Sequence, residues 1–181
     1  MSGNFVNARS DLQNIANAET AGVDFQVDWS HEVGPGNLSA SLVGSYLDQF
    51  TEVPAPGQIL DRKGKISNTG ALGSSLGGSY PEWKLLTTIN YEWGPVKAGL
   101  RWQHIAGMTN FNNAAAKIPA IGYFDLIGSW NITDYATLHA TVNNVMDQLP
   151  PTYTPSVQGN TDPSTYDVLG RRYTIGLTLK Y

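Results

Sequence analysis

The sequence predicts an all-β fold, an antiparallel up-and-down transmembrane β-barrel segment of about seven strands that is incomplete without upstream strands. Apolar and polar residues alternate with period two in segments of about ten residues, the pattern of strands with one apolar and one polar face. The connections alternate between short and long, as in barrels with tight turns at one rim and large loops at the other. Charged residues make up only 14% of the chain, against roughly 25% in an average soluble domain.

The first two segments, Thr20–Ser30 and Leu38–Asp48, each separate an apolar from a polar face. In the first, aliphatic and aromatic side chains alternate with acidic and amide ones. In the second, leucine and tyrosine alternate with serine, and Val43 and Leu47 interrupt the pattern. Both segments predict strands with one face for an apolar environment and one for water.

The third and fourth segments, Glu82–Trp93 and Val96–Gln103, alternate most clearly. Trp83 and Trp93 lie ten positions apart on one face. At ~3.3 Å per residue and a tilt of ~40°, that separation is roughly 25 Å along the membrane normal, the height of the apolar band between two aromatic girdles. The girdle predicted on this basis consists of Trp29, Trp83, Trp93, Trp130, Tyr173 and Tyr181.

The last three segments are Gly122–Ile132, Ala136–Val145 and Tyr173–Tyr181. Each alternates apolar with polar residues over most of its length, which predicts three further strands with the same two faces. In the final segment Leu177 lies four residues from each flanking tyrosine. We therefore expect Leu177 near the middle of the apolar band.

The connections give a second, independent signal. Three are short and contain turn-forming residues: His31–Asn37 with its Gly-Pro-Gly, Gly94-Pro95, and Thr133–Tyr135. The other three are long and rich in Gly, Asn, Ser and Pro: Gln49–Pro81, Ile105–Ile121, and Asp147 to about Asp167. This layout predicts hairpin turns on the periplasmic side and loops on the extracellular side.

Composition excludes several classes of function. The net charge is -4 and the 11 Lys and Arg residues are scattered, so no basic surface for nucleic acid is expected. The absence of cysteine excludes disulfides and thiolate chemistry. His31, His104 and His139 are expected in a periplasmic turn, at the outer end of the fourth strand and on the lumen face of the sixth, and they lack the spacing of metal ligands. No catalytic residue, metal or cofactor is predicted, and the protein is not expected to be an enzyme.

Residues that could contact a transported ligand lie in the long loops and the upper lumen. Amide and aromatic side chains together bind a sugar or a metal chelate by hydrogen bonding and stacking. An equally simple alternative is that the loop aromatics pack the loops against each other. The candidates for substrate binding are Phe111, Asn112, Asn113, Tyr153 and Arg101.

The last eight residues resemble the signal that the outer-membrane barrel-assembly machinery reads. That signal has a polar residue, a glycine two places on, and bulky apolar or aromatic residues at the last position and two before it. Thr174, Gly176, Leu179 and Tyr181 match these positions. The resemblance implies export to the outer membrane of a Gram-negative bacterium, with outer-membrane lipid and the assembly machinery as partners.

Further blocks resemble the family of TonB-dependent receptors, over roughly residues 17 to 181. They are Tyr80-Pro81 with Lys84, Tyr123-Phe124-Asp125, the run from Val142 to Asp147 before Pro150-Pro151, and the run from Tyr166 to Tyr173. In that family, blocks in this order occupy the final third of a 22-stranded barrel. The resemblance implies that residues 1–181 are the carboxy-terminal portion of such a barrel, without a plug domain, and that TonB would act only through missing upstream regions.

The resemblance leads to one main hypothesis with two alternatives. The main hypothesis is a structural wall and extracellular loops of a receptor for active uptake of a scarce nutrient, such as a siderophore-iron complex, cobalamin or an oligosaccharide. One alternative is a porin or translocator barrel without a plug. The other is a soluble all-β carbohydrate-binding module, in which the apolar faces pack against each other in a sandwich.

Overall fold

The computed structural model describes residues 17–67, 78–153 and 160–180. These residues form β-strands joined by turns and loops, and none of them lies in a helix long and apolar enough to cross a membrane. The strands in chain order are β1 (Asn17–Val33), β2 (Gly36–Ala55), β3 (Gln58–Asp61), β4 (Lys65–Ser67), β5 (Gly78–Tyr80), β6 (Trp83–Trp93), β7 (Val96–Ile105), β8 (Met108–Asn110), β9 (Asn113–Ile118), β10 (Ile121–Thr133), β11 (Ala136–Asn143) and β12 (Arg172–Leu179).

Seven long strands form one large antiparallel sheet. Its order is β1-β2-β6-β7-β10-β11-β12, and the short β3 pairs with the end of β2. Each long strand pairs with the next one along the chain, so the topology is an up-and-down meander. All seven predicted segments lie within these strands or overlap them, and the all-β, antiparallel, unclosed fold is confirmed.

The register separates two faces that run across the whole sheet. On one face Ala40 pairs with Ile89, Ile89 with Leu100, and Leu100 with Leu126. On the other face Thr88 pairs with Arg101. Among the described residues no second layer covers the apolar face, and its side chains are exposed: Val27 by 57%, Leu126 by 48% and Ile175 by 78%. We call these the apolar face and the inner face.

The connection between β1 and β2 is shorter than the predicted His31–Asn37. Val33 pairs with Gly36, which leaves Gly34-Pro35 as a two-residue turn. Gly34 has φ 58, and a glycine at the first central position is what such a hairpin turn requires. The prediction that His31 lies in this turn is therefore wrong: β1 continues past it, and His31 pairs with Leu38.

Leu177 lies on the apolar face, where it pairs with Leu138, and Leu138 pairs with Trp130. Because the strands of such a barrel are tilted by about 40°, residues paired across strands differ in height along the membrane normal, so these pairings do not set the depth of Leu177. Its place near the middle of the apolar band stays a prediction.

A second, four-stranded sheet has the order β5-β4-β8-β9 and was not predicted. It is built from two connections that were expected to be loops, those after β2 and after β7. The central pair, β4 and β8, is parallel, with Lys65 opposite Thr109 and Ile66 opposite Asn110. These strands have three to six residues, too few for an alternation pattern to be visible.

Candidate functional site

The described hydrophobic core lies at the end of the large sheet that carries the long loops. It joins the ends of β7 and β10, the small sheet and the last loop, and we call it the loop-end core. Two of its tyrosines, Tyr123 and Tyr166, have buried hydroxyls, and burial raises the pKa of Tyr166. Its members are Ile66, Ile105, Met108, Ile118, Ile121, Tyr123, Tyr153 and Tyr166.

A buried ion pair lies beside this core. Arg62 Nε donates to Glu52 Oε2 at 2.8 Å, and both side chains are almost completely buried. The guanidinium lies over the ring of Phe111, 4.0 Å from its centroid. A buried guanidinium needs such contacts because its desolvation is costly. Phe111, a predicted ligand residue, thus packs the β8–β9 turn against the β2–β3 hairpin.

The two predicted asparagines lie at the tip of the same turn. The side chains of Asn112 and Asn113 are exposed. Asn110 Oδ1 accepts a hydrogen bond from the backbone of Asn112, and Asn113 Oδ1 accepts one from Ala115. These two local hydrogen bonds stabilise the turn, and the side-chain amide of Asn112 is exposed to solvent.

The remaining predicted ligand residues occupy different settings. Tyr153 is 8% exposed in the loop-end core, and its backbone N–H donates to the carbonyl of Asn160. Arg101 projects from the inner face of β7. The five candidates thus lie in three places: the β8–β9 turn, the loop-end core and the inner face.

Arg101 belongs to a polar network on the inner face. Its Nε and Nη2 lie 2.8 Å from Asp125 Oδ2, and Nη2 donates to Asn143 at 3.4 Å. The second oxygen of Asp125 accepts the backbone N–H of Asn144 at 2.7 Å. Asn144 follows the last residue of β11 and has φ 49, a left-handed conformation that asparagine tolerates. Asp125 therefore connects the wall to the start of the last loop.

A hydrogen-bonded carboxylate connects the last loop to the small sheet. Asp162 accepts hydrogen bonds from the hydroxyls of Ser79 and Ser164. Burial alone would raise the pKa of this carboxyl, but these donors outweigh burial and hold its pKa below the ordinary value. Asp167 on the same loop pairs with Arg172 at 2.7 Å.

A groove of about 470 Å³ is associated with the inner face. Its polar lining includes Asp24, Ser45, Lys84, Arg101 and Gln103, of which sequence reasoning proposed only Arg101 as a ligand residue. The only sequence feature that pointed to Asp24, Ser45, Lys84 and Gln103 was their position on the polar side of the alternating pattern. None of the described groups of His, Asp and Glu side chains is arranged to hold a metal ion.

The five predicted aromatic girdle residues that the structure describes lie on the apolar face. Trp29, Trp93 and Trp130 lie toward the tight turns, and Trp83 lies toward the loops. Tyr173 pairs with Val142 at the start of β12 and is 71% exposed. Tyr181 lies outside the described residues.

Three of the predicted assembly-signal residues lie on β12, an edge strand of the described sheet. Thr174 pairs with Thr141, Gly176 with His139, and Leu179 with Ala136. Tyr181, the fourth residue, is outside the described part of the chain.

A single antiparallel sheet with an apolar and a polar face, tight turns at one rim and packed loops at the other has the architecture of a membrane β-barrel wall. Residues 2–145 match the model of the family described as TonB dependent receptor-like, beta-barrel. The chain belongs to this family, which confirms the resemblance in its sequence. The family comprises outer-membrane transport receptors rather than enzymes. Comparison with curated proteins and with solved structures gave no match.

Proposed function

We propose that residues 1–181 form the carboxy-terminal part of the barrel of a receptor for active uptake of a scarce nutrient across the Gram-negative outer membrane. The nutrient would be a siderophore-iron complex, cobalamin or an oligosaccharide. The observation that carries this proposal is the register of the large sheet, which gives one continuous apolar face and one polar face. In a barrel the apolar face meets lipid and the polar face lines the lumen.

Topology supports the view that this sheet is part of a larger barrel. With seven strands in a meander, β1 and β12 run in the same direction. Antiparallel closure therefore requires an odd number of strands beyond the described seven. Plug and TonB contact would belong to upstream regions of the receptor.

The outer loops would capture the nutrient. Asn112 and Asn113 offer exposed amides at the tip of the β8–β9 turn, while Phe111 and Tyr153 hold the loops in place. Arg101 lies deeper on the inner face, where a ligand passing the loops would meet it. Assembly of the barrel would use Thr174, Gly176, Leu179 and Tyr181 as the recognition signal.

An uptake experiment in cells tests this proposal. A strain lacking the gene is compared with the parent for accumulation of a labelled ferric siderophore, cobalamin and an oligosaccharide, with and without a protonophore. Active uptake predicts that one ligand loses protonophore-sensitive accumulation and that the full-length gene restores it. Asn112→Ala with Asn113→Ala should weaken capture, and the matched control Asn37→Ala, beside the β1–β2 turn, should not.

The same experiment separates the alternatives. A barrel without a plug would pass small solutes without energy, so accumulation insensitive to the protonophore would contradict the receptor and favour the porin. The soluble module needs a second layer over the apolar face, and no such layer covers the large sheet among the described residues. A full-length protein that stays monodisperse without detergent or lipid would favour the soluble module over the barrel.

A further inference from the structure

A lysine caps an aromatic cluster at the loop end of the apolar face. Tyr46 pairs with Trp83 across β2 and β6, and their ring centroids are 4.5 Å apart. Phe25 meets Trp83 edge-on at 6.5 Å. Lys63 Nζ lies 3.1 Å from the Tyr46 hydroxyl and 5.1 Å from the centroid of its ring. Because Tyr46 belongs to the apolar face, the ammonium of Lys63 lies on that side of the sheet.

The same lysine borders a groove of about 510 Å³ at the loop end. Lys117 and Thr109 also line this groove, and Pro119 and Ala120 contribute exposed apolar surface. Lys117 is exposed and has no ion-pair partner in the described ranges. The groove therefore holds two cationic side chains and a hydroxyl, and one of the two lysines, Lys63, also contacts the aromatic cluster.

Two acidic groups near the groove, Asp48 and Glu82, act on Lys63, whereas Lys117 has no ion-pair partner among the described residues. Asp48 is 3.8 Å from Lys63 Nζ, but its side chain is 66% exposed, and exposed pairs at this distance contribute little. Asp61 is already paired with Lys65 at 2.9 Å. Glu82 lines the groove as its one carboxylate. Against that single charge, two ammonium groups favour an anionic occupant.

We propose that Lys63, Lys117 and Thr109 bind a phosphate on the headgroup of an outer-leaflet lipid, whose acyl chains lie along Phe25, Tyr46 and Trp83. The proposal rests on the proposed function, because it requires the apolar face to meet lipid and the loops to face outward. At a membrane interface, aromatic rings lie at headgroup level and lysines extend their ammonium groups toward it. A phosphate also accepts charge-assisted hydrogen bonds from ammonium and hydroxyl groups.

Lipid binding to the full-length protein tests the proposal. The purified protein in detergent is titrated with diphosphorylated lipid A, and bound lipid is counted by native mass spectrometry. Each of Lys63→Gln and Lys117→Gln should weaken binding about five-fold, the usual effect of one lysine near an anionic lipid surface. Lys63→Arg should retain binding. Lys97→Gln is the matched control, because Lys97 pairs with Glu92 at the opposite end of the sheet.

Three outcomes would overturn the inference. They are equal binding by the parent and both glutamine variants, an equal loss in Lys97→Gln, and equal binding of lipid A from which both phosphates have been removed. Displacement of the lipid by an equal concentration of inorganic phosphate would show that the acyl chains contribute nothing. Insertion into lipid vesicles is measured separately: a parent that does not insert contradicts the proposed function, whereas normal insertion with phosphate-independent binding contradicts only this inference.

Discussion

An arginine at Ile89 should destabilise the barrel far more than an arginine at the next residue. Ile89 lies on the apolar face, six residues from Trp83 and four from Trp93. At ~3.3 Å per residue and ~40° tilt, it is roughly 10 Å from the level of Trp93 and 15 Å from that of Trp83, near the midplane of the apolar band. Its side chain is 42% exposed in the described sheet, so an arginine there would reach lipid.

The expected magnitude follows from this depth. A cation at the midplane costs ~2 to 4 kcal/mol, and one facing the lumen costs much less. Asn90 is on the inner face, where it pairs with Ser39 and Gly99. Ile89→Arg and Asn90→Arg introduce the same side chain one position apart, so effects common to the strand largely cancel. The folding equilibrium should differ between them by a factor of up to about 30 to 700, since 1.4 kcal/mol is tenfold.

Folding into lipid vesicles measures the difference. The full-length parent and both variants are titrated with denaturant, and the folded fraction is followed by heat-modifiable migration. An Asn90→Arg variant that loses as much stability as Ile89→Arg would show that the register is displaced by one residue or that the apolar face does not meet lipid.

Three further predictions concern the wall, the last loop and assembly. Asp125→Asn should cost up to about 1 kcal/mol, because it removes the counter-ion of the partly exposed Arg101 guanidinium. Hydrogen exchange should accelerate at the backbone amide of Asn144, and unchanged protection there would contradict the link. The lowered pKa of Asp162 means that its carboxylate stabilises the last loop above the ordinary pKa of 3.8, and that this contribution is lost as pH falls through the still lower folded-state pKa. Asp162→Asn should remove that part of the pH dependence of hydrogen exchange in the loop, and an identical profile in both proteins would rule it out. Deleting Tyr181 from the full-length protein should lower the amount of folded protein in the outer membrane several-fold, and undiminished heat-modifiable protein would refute its role in assembly.

The sequence predicted the large sheet because each long strand carries its own signal. In β6, for instance, apolar and polar residues alternate from Trp83 to Trp93, and the alternation needs no knowledge of the neighbouring strands. The small sheet carries no such signal. Its parallel pair joins Ile66 to Asn110, residues from two different connections, and this pairing depends on how the large sheet brings the connections together.

The candidate site was less predictable than the fold for the same reason. Residue type and position in a long loop or the upper lumen indicated that Phe111 and Arg101 could contact a ligand. The sequence could not show that Arg62 would lie over the Phe111 ring or that Asp125 would hold the Arg101 guanidinium. Both contacts join residues that are far apart in the chain. The sequence did not predict a role for Lys63, because its contact with Tyr46 joins residues 17 positions apart, one in a loop and one on the apolar face.

The parallel pairing of β4 with β8 also bears on the order in which contacts form. The two strands are separated in the chain by β5, β6 and β7, so their contact closes a longer loop than the hairpins of the large sheet do. Contacts between distant parts of a chain form slowly because the intervening loop must first close. We therefore expect the contact between β4 and β8 to form later than the hairpins of the large sheet. A change in the length of either connection should disturb the pairing of both strands.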